Sequence, residues 1–166
     1  MTKEKLEQAV CEIEQHRDDI ISKLVQFSKT DSLLFWDTDA LVAEKQEQLW
    51  APVLKWANQT LNAGYTSTDK FEVKELDKNS LTGLRHFMEG MSDKELAAFY
   101  LASMNMKSEL LAAALVKGHI NAAQAFDAAY LEELSQADRW GHDEIAEERR
   151  QNMKNELSAI ENFLRK

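Results

Sequence analysis

An all-α fold is what this sequence predicts, and three observations predict it. Ala, Leu, Glu, Lys and Gln, the residues that lose least on entering a helix, dominate the chain, whereas Gly and Pro number only 5 and 1. Apolar positions recur at three and four along most of its length. Capping residues and glycine stops punctuate those stretches. At 166 residues the chain is long enough to bury a core without disulfide or metal, and it reads as a single helical bundle over 1–166, of about five or six helices.

The first helix is predicted from Glu4 to about Lys29, with Leu6, Val10, Ile13, Ile20, Leu24 and Phe27 on one face. TDSLLFWD, Thr30 to Asp37, then breaks the pattern with a compact apolar turn tucked under the fold. Asp39 caps a second helix that runs to about Leu61. Pro52 stands inside it, between Trp50 and Trp56. Proline lacks the backbone N–H and costs about 3 kcal/mol in a helix interior, so a kink or a restart is expected there, with Trp50 or Trp56 buried beside it.

Residues 62–78 are polar, contain Gly64 and read as a loop, with a short strand about Phe71 and Val73 as the alternative. A short helix over 79–90 follows and ends at Gly90. Ser92 and Glu95 then form a capping box for a helix from Asp93 to Lys117, which stops at Gly118 in the left-handed conformation. Asn121 and Gln124 make a second box, with Ala125, Phe126, Ala129, Tyr130 and Leu134 as the apolar face behind it. Past Trp140 and Gly141, Met153, Leu157, Ile160 and Leu164 define the closing helix.

Charge and motif content exclude several functions. The net charge is −9 and the pI about 5.0, so the surface repels a phosphate backbone, and no Lys/Arg stripe offsets this. Nucleic acid and anionic membranes are poor partners. No apolar stretch reaches the roughly 20 residues of a membrane span, and MTKEKLEQAVCEIEQH is too acidic for a transit peptide and lacks a signal-type run, so a cytoplasmic protein with no membrane insertion is expected. Cys11 has no cysteine to pair with and reads as a small core or boundary residue of the first helix.

Catalytic motifs are missing: no glycine-rich phosphate loop, GxSxG, HExxH or Glu-x-x-His pair occurs. His16, His86, His119 and His142 are scattered and read as surface or cap residues. Asp138 and His142 stand four apart, but the third ligand position one turn earlier is Leu134. The expectation is a protein that is not an enzyme and uses no cofactor and no metal.

Two features rise above a generic bundle. One is the set Trp36, Trp50, Trp56 and Trp140, where packing competes with presentation to a partner. The other is the run from Glu132 to Glu148, in which Glu132, Glu133, Asp138, Asp143, Glu144, Glu147 and Glu148 face only Arg139. A solvated helix face is the ordinary reading of such a run. Here it is interrupted by Trp140-Gly141, an aromatic followed by a helix-weakening residue, which a plain solvent face does not need. A bend there presents Glu133, Gln136 and Glu144 around the Trp140 ring, and these four are the candidate partner-binding residues.

The segment LEELSQADRWGHDE, Leu131 to Glu144, resembles the ATP-twelve chaperone family, in which an acid, a glutamine and a Trp-Gly pair recur at the spacing of Glu133, Gln136, Trp140 and Gly141. TDSLLFW from Thr30, LWAPVLKWA from Leu49 and SELLAAALVKGHINAAQAF from Ser108 agree in order and distance. The resemblance covers about residues 10–165, with 62–90 alike only in length and character. It implies the family's helical C-terminal fold. It also implies a molecular chaperone that binds the free alpha subunit of the F-one sector of ATP synthase and releases it as beta subunits join. The family's functional acid in the Trp-Gly region falls on Glu144; relatives carry it four or five places after the tryptophan, and the fifth place here is Ile145. The family's β-rich N-terminal domain has no counterpart ahead of this helical region. That absence leaves a second expectation, a helical adaptor or regulator that kept the fold and changed partner. The resemblance, taken with the lack of a transit peptide, implies a bacterial source.

Overall fold

A computed structural model describes residues 2–69 and 77–165. Among these residues nine α-helices follow one another: α1 (Thr2–Phe27), α2 (Ala40–Leu49), α3 (Ala51–Leu61), α4 (Lys78–Glu89), α5 (Asp93–Met106), α6 (Glu109–Val116), α7 (Ala122–Ala129), α8 (Leu131–Trp140) and α9 (Glu144–Leu164). Two 3₁₀ turns, Ser28–Thr30 and Ser32–Leu34, fill the apolar turn after α1. The all-α expectation holds. The one β-type pairing among the described residues is an isolated parallel bridge, Phe35 to Thr68. The strand considered about Phe71 and Val73 lies outside the described residues.

The expected count of about five or six helices is corrected to nine, because three expected helices are each split in two. At the first split Pro52 lies in the opening turn of α3, where its missing N–H has no helical partner to lose. The restart is thus realised, and Trp50 beside it is buried, its indole N–H donating to the Ala128 carbonyl at 2.7 Å. At the second, Lys107 adopts φ 56° and Ser108 is extended, its hydroxyl accepting from Leu111 N–H as a fresh cap. At the third, Tyr130 turns the chain at φ −104° and ψ 15° between α7 and α8, its hydroxyl donating to the Asn105 carbonyl at 2.9 Å.

The local caps appear as read. Asp39 accepts from Leu41 and Val42 N–H, and both capping boxes, Ser92 with Glu95 and Asn121 with Gln124, close reciprocally. Gly118 ends α6 at φ 75°. The face of α1 departs from the expectation. His16 has φ −134° and ψ 34°, a break that turns the second half, so Ile21, Leu24 and Val25 are buried while Phe27 is left exposed. Cys11, expected at the core boundary, is exposed.

The core draws buried side chains from every helix. α5 lies between α1, α6 and α9, and α6 also packs on α3. Ala97, Ala98 and Ala102 of α5 and Ala112, Ala113 and Ala114 of α6 are fully buried, and their small side chains let these helices approach closely. Gly83 does the same for α4: a Cβ there would stand 2.1 Å from the Leu61 carbonyl oxygen of α3. α8, which carries most of the candidate site, packs on α2 and α7.

Candidate functional site

Three of the four tryptophans are spent on the fold. Trp50 anchors the α2–α3 junction, Trp36 meets it edge to face at 6.3 Å, and Trp56 stacks on His119 at 4.9 Å. Trp140 does none of this. It ends α8 with its ring 80% exposed. The next residue, Gly141, has φ 104° and ψ 156°, a conformation that a side-chain-bearing residue rarely adopts, and it turns the chain sharply into α9.

Ion pairs hold this corner. Arg139 donates to Asp39 at 2.9 Å, tying the end of α8 to the start of α2. Across the turn, Glu133 accepts from Arg149 and from the buried Arg150, the latter at 3.0 Å. The His142 ring lies between the Asp138 carboxylate, at 3.4 Å, and the Glu147 carboxylate, at 2.7 Å, and pairs with them ionically only when protonated. Burial pushes the Glu133 carboxyl up, but the hydrogen bonds from Arg149 and Arg150 outweigh it, and the group titrates below the ordinary carboxylate range. Asp39 is held low by the Arg139 hydrogen bond and then by the Val42 N–H. Glu132, by contrast, is raised, first by burial and then by the charge of Asp37.

The four candidate residues are placed as follows. Glu133, Gln136 and Trp140, spaced three and four apart, share one stripe of α8, and Glu144 opens α9 beyond the turn. Gln136, Trp140 and Glu144 are exposed, whereas Glu133 is half-buried and engaged by two arginines. The acidic run is therefore compensated from its own far end, by arginines that follow Glu148 directly. Two apolar residues of the corner went unread. Ile145 is 78% exposed in the first turn of α9, and Leu41, two residues from the Asp39 ion pair, is 66% exposed. Trp140 and Ile145 thus flank the α8–α9 turn among exposed acids, and Leu41 follows the Asp39 that Arg139 ties to the end of α8. Large apolar side chains exposed beside polar ones mark surfaces that bind other proteins.

Nothing at this corner supplies a nucleophile with a base. No group of three His, Cys, Asp or Glu placed to hold a metal occurs among the described residues, and none of their helices is long and apolar enough to cross a membrane. The described residues form a helical protein that presents an acidic and aromatic edge at the α8–α9 turn.

Known proteins share this architecture. The family model described as ATP12 chaperone protein matches residues 2–58. Atp12 from Paracoccus denitrificans superposes with a TM-score of 0.88 at 25% identity, over 95% of this chain and 68% of that one, and a point mutant of the same protein gives the same values. A candidate chaperone from Agrobacterium tumefaciens shares the fold, with a TM-score of 0.82 at 24% identity, over 92% of this chain and 57% of that one. No curated protein sequence matches the chain. The resemblance to the ATP12 chaperones read from the sequence is thereby borne out. Its first two segments, from Thr30 and from Leu49, fall within the matched residues, and the fold likeness extends over 95% of the chain.

Proposed function

We propose that this chain is a chaperone of ATP synthase assembly that binds the free alpha subunit of the F-one sector in the bacterial cytoplasm. The observation that carries the reading is the agreement with the Atp12 fold over 95% of the chain, joined to the ATP12 chaperone match in residues 2–58. The helical chain acts as one folding unit in this reading, and its task is binding and release, with no bond made or broken. Gln136, Trp140 and Glu144 are the contact residues, with Glu133 as a rim acid whose charge is shared with Arg149 and Arg150. An assembly chaperone must cover surface that later becomes a subunit interface, and an exposed aromatic ringed by polar groups suits that exchange. The acidic surface favours a basic or hydrogen-bonding patch on the partner.

The test uses purified alpha subunit diluted from denaturant, with aggregation followed by light scattering. The chain is expected to suppress aggregation at near-equimolar ratio and to form a complex that co-elutes in size exclusion, and to leave beta subunit unaffected. Equal protection of unrelated proteins, or no complex with alpha subunit, contradicts the assignment.

A further inference from the structure

A second concave surface lies where α5 breaks into α6, and it shares no residue with the α8–α9 corner. Phe27, Thr30, Ser103, Met104, Lys107 and Glu109 enclose a pocket of about 280 Å³, room for one long side chain. Phe27 and Met104, both exposed, give the lining its apolar part, beside Thr30 and Lys107. The floor is Glu109, only 3% exposed, whose Oε1 has no hydrogen-bond partner among the described residues. Asp31, fully buried, accepts from Leu33 and Leu110 N–H at 3.0 Å each and adds its charge to that of Glu109. Neither carboxylate has an ion pair among the described residues.

A carboxylate oxygen left without a partner and closed to water just behind an open pocket is a feature that native proteins rarely keep without use. Two acids behind an apolar mouth select a cation with an apolar stem. Guanidinium fits better than ammonium, because it is less strongly hydrated, forks onto a carboxylate and stacks on an aromatic ring. We propose that this pocket docks an arginine side chain of a partner protein, the guanidinium on Glu109 and the stem between Phe27 and Met104. That the arginine belongs to a protein partner rests on the chaperone reading; the chemistry of the pocket does not.

Burial, then the charge of Asp31, pushes Glu109 up to about 8, so at neutral pH an entering guanidinium displaces a proton. Asp31, the acid acting on it, is itself raised to about 6 by burial, and both acids in turn raise Tyr65 from the loop after α3. Lys107, from the end of α5, lines the same pocket. No histidine lines it.

The full chain, isotope-labelled, is titrated with acetyl-arginine amide and with its neutral isostere acetyl-citrulline amide, and amide resonances are followed by NMR. The arginine probe should shift Phe27, Met104, Glu109 and Leu110 saturably, and the citrulline probe should bind at least about tenfold more weakly. From about pH 6.5 to about pH 8.5 the apparent affinity should rise on the order of tenfold, as the competent, ionised fraction of Glu109 grows. Glu109→Gln should remove both the binding and the pH response. Phe27→Ala, at an exposed ring, should weaken binding severalfold with the spectrum otherwise unchanged, and it carries the test if the first variant does not fold. Equal response to both probes, full binding by Glu109→Gln, or shifts confined to the acidic corner overturn the proposal. So do shifts at these residues that depend on protein concentration alone, which would place a second copy of the chain in the pocket. No partner protein enters this titration, so its failure is distinct from failure to bind alpha subunit.

Discussion

Glu133 at the α8–α9 corner and the acids Asp31 and Glu109 beneath the α5–α6 break are all withdrawn from water to some degree, and their carboxyls respond in opposite directions. Glu133 is half-buried but receives Arg149 and Arg150, and it titrates low. Asp31 and Glu109 are buried without a cation, and burial pushes them up to about 6 and about 8. The sign is therefore set by whether a charged donor arrives together with the burial, and burial alone gives only the upward push. Stability against pH inherits both signs. The folded protein keeps protons on Asp31 and Glu109 that the unfolded chain sheds near about pH 4, so the stability they allow is lost as pH rises through about 6 and then about 8. Glu133 contributes stability that is present above the unfolded carboxylate range and lost as pH falls through its lower folded value. Greatest stability is expected near about pH 5.

The largest break in this contrast should come from Arg150→Ala. The Arg150 side chain is 7% exposed and Glu133 is 32% exposed, so the pair is partly screened, and a loss of about 2–3 kcal/mol is expected in place of the full cost of a buried pair. Calorimetry should show a fall of roughly 5–10 °C. Next in size is Glu109→Gln, which removes a titrating group and keeps the shape of the side chain. It should raise the melting temperature at pH 8 by on the order of 5 °C and much less at pH 5. A gain equal at both pH values would show that Glu109 does not titrate in the folded range. The smallest effects divide the two acids of the corner itself. Glu133→Gln should cost about 1 kcal/mol, whereas exposed Glu144→Gln should stay within about 0.5 kcal/mol in denaturant unfolding, and weaken alpha-subunit binding.

What the sequence revealed of the fold was what is decided locally. Asp39, the Ser92–Glu95 box and the Asn121–Gln124 box are legible because a cap acts on N–H groups two or three residues away. Pro52 announced its restart for the same reason. The break after Met106 was not legible, since its partners come from far along the chain. Ser32 N–H donates to the Lys107 carbonyl at 3.0 Å, and Asp31 accepts from Leu110 N–H at 3.0 Å. Likewise the turn at His16 shifts a face that strict periodicity carries straight on.

The site divides in the same way. The Trp-Gly pair stood out in the sequence, and Gly141 does adopt the conformation that reserves the place for glycine. For Trp140 packing and presentation to a partner competed as readings, and the residue is exposed. Nor did the acidic run show that Arg149 and Arg150 fold back onto Glu133, or that Arg139 reaches Asp39, a residue 100 positions away. Charge counts along a chain do not say which charges meet. The Asp31–Glu109 pair was invisible for that reason, although Asp31 and Glu109 both lay in segments singled out for their resemblance to the chaperones.

The central claim, that Trp140 at the α8–α9 corner serves a partner and not the fold, is tested most directly by Trp140→Ala, with affinity for isolated alpha subunit and melting temperature measured on the same samples. A ring 80% exposed contributes little to packing, so the melting temperature should stay within about 2 °C of the parent. Affinity should fall at least about tenfold, as for an aromatic at the centre of an interface. An unchanged affinity, or a protein that binds as before while melting many degrees lower, would contradict the account.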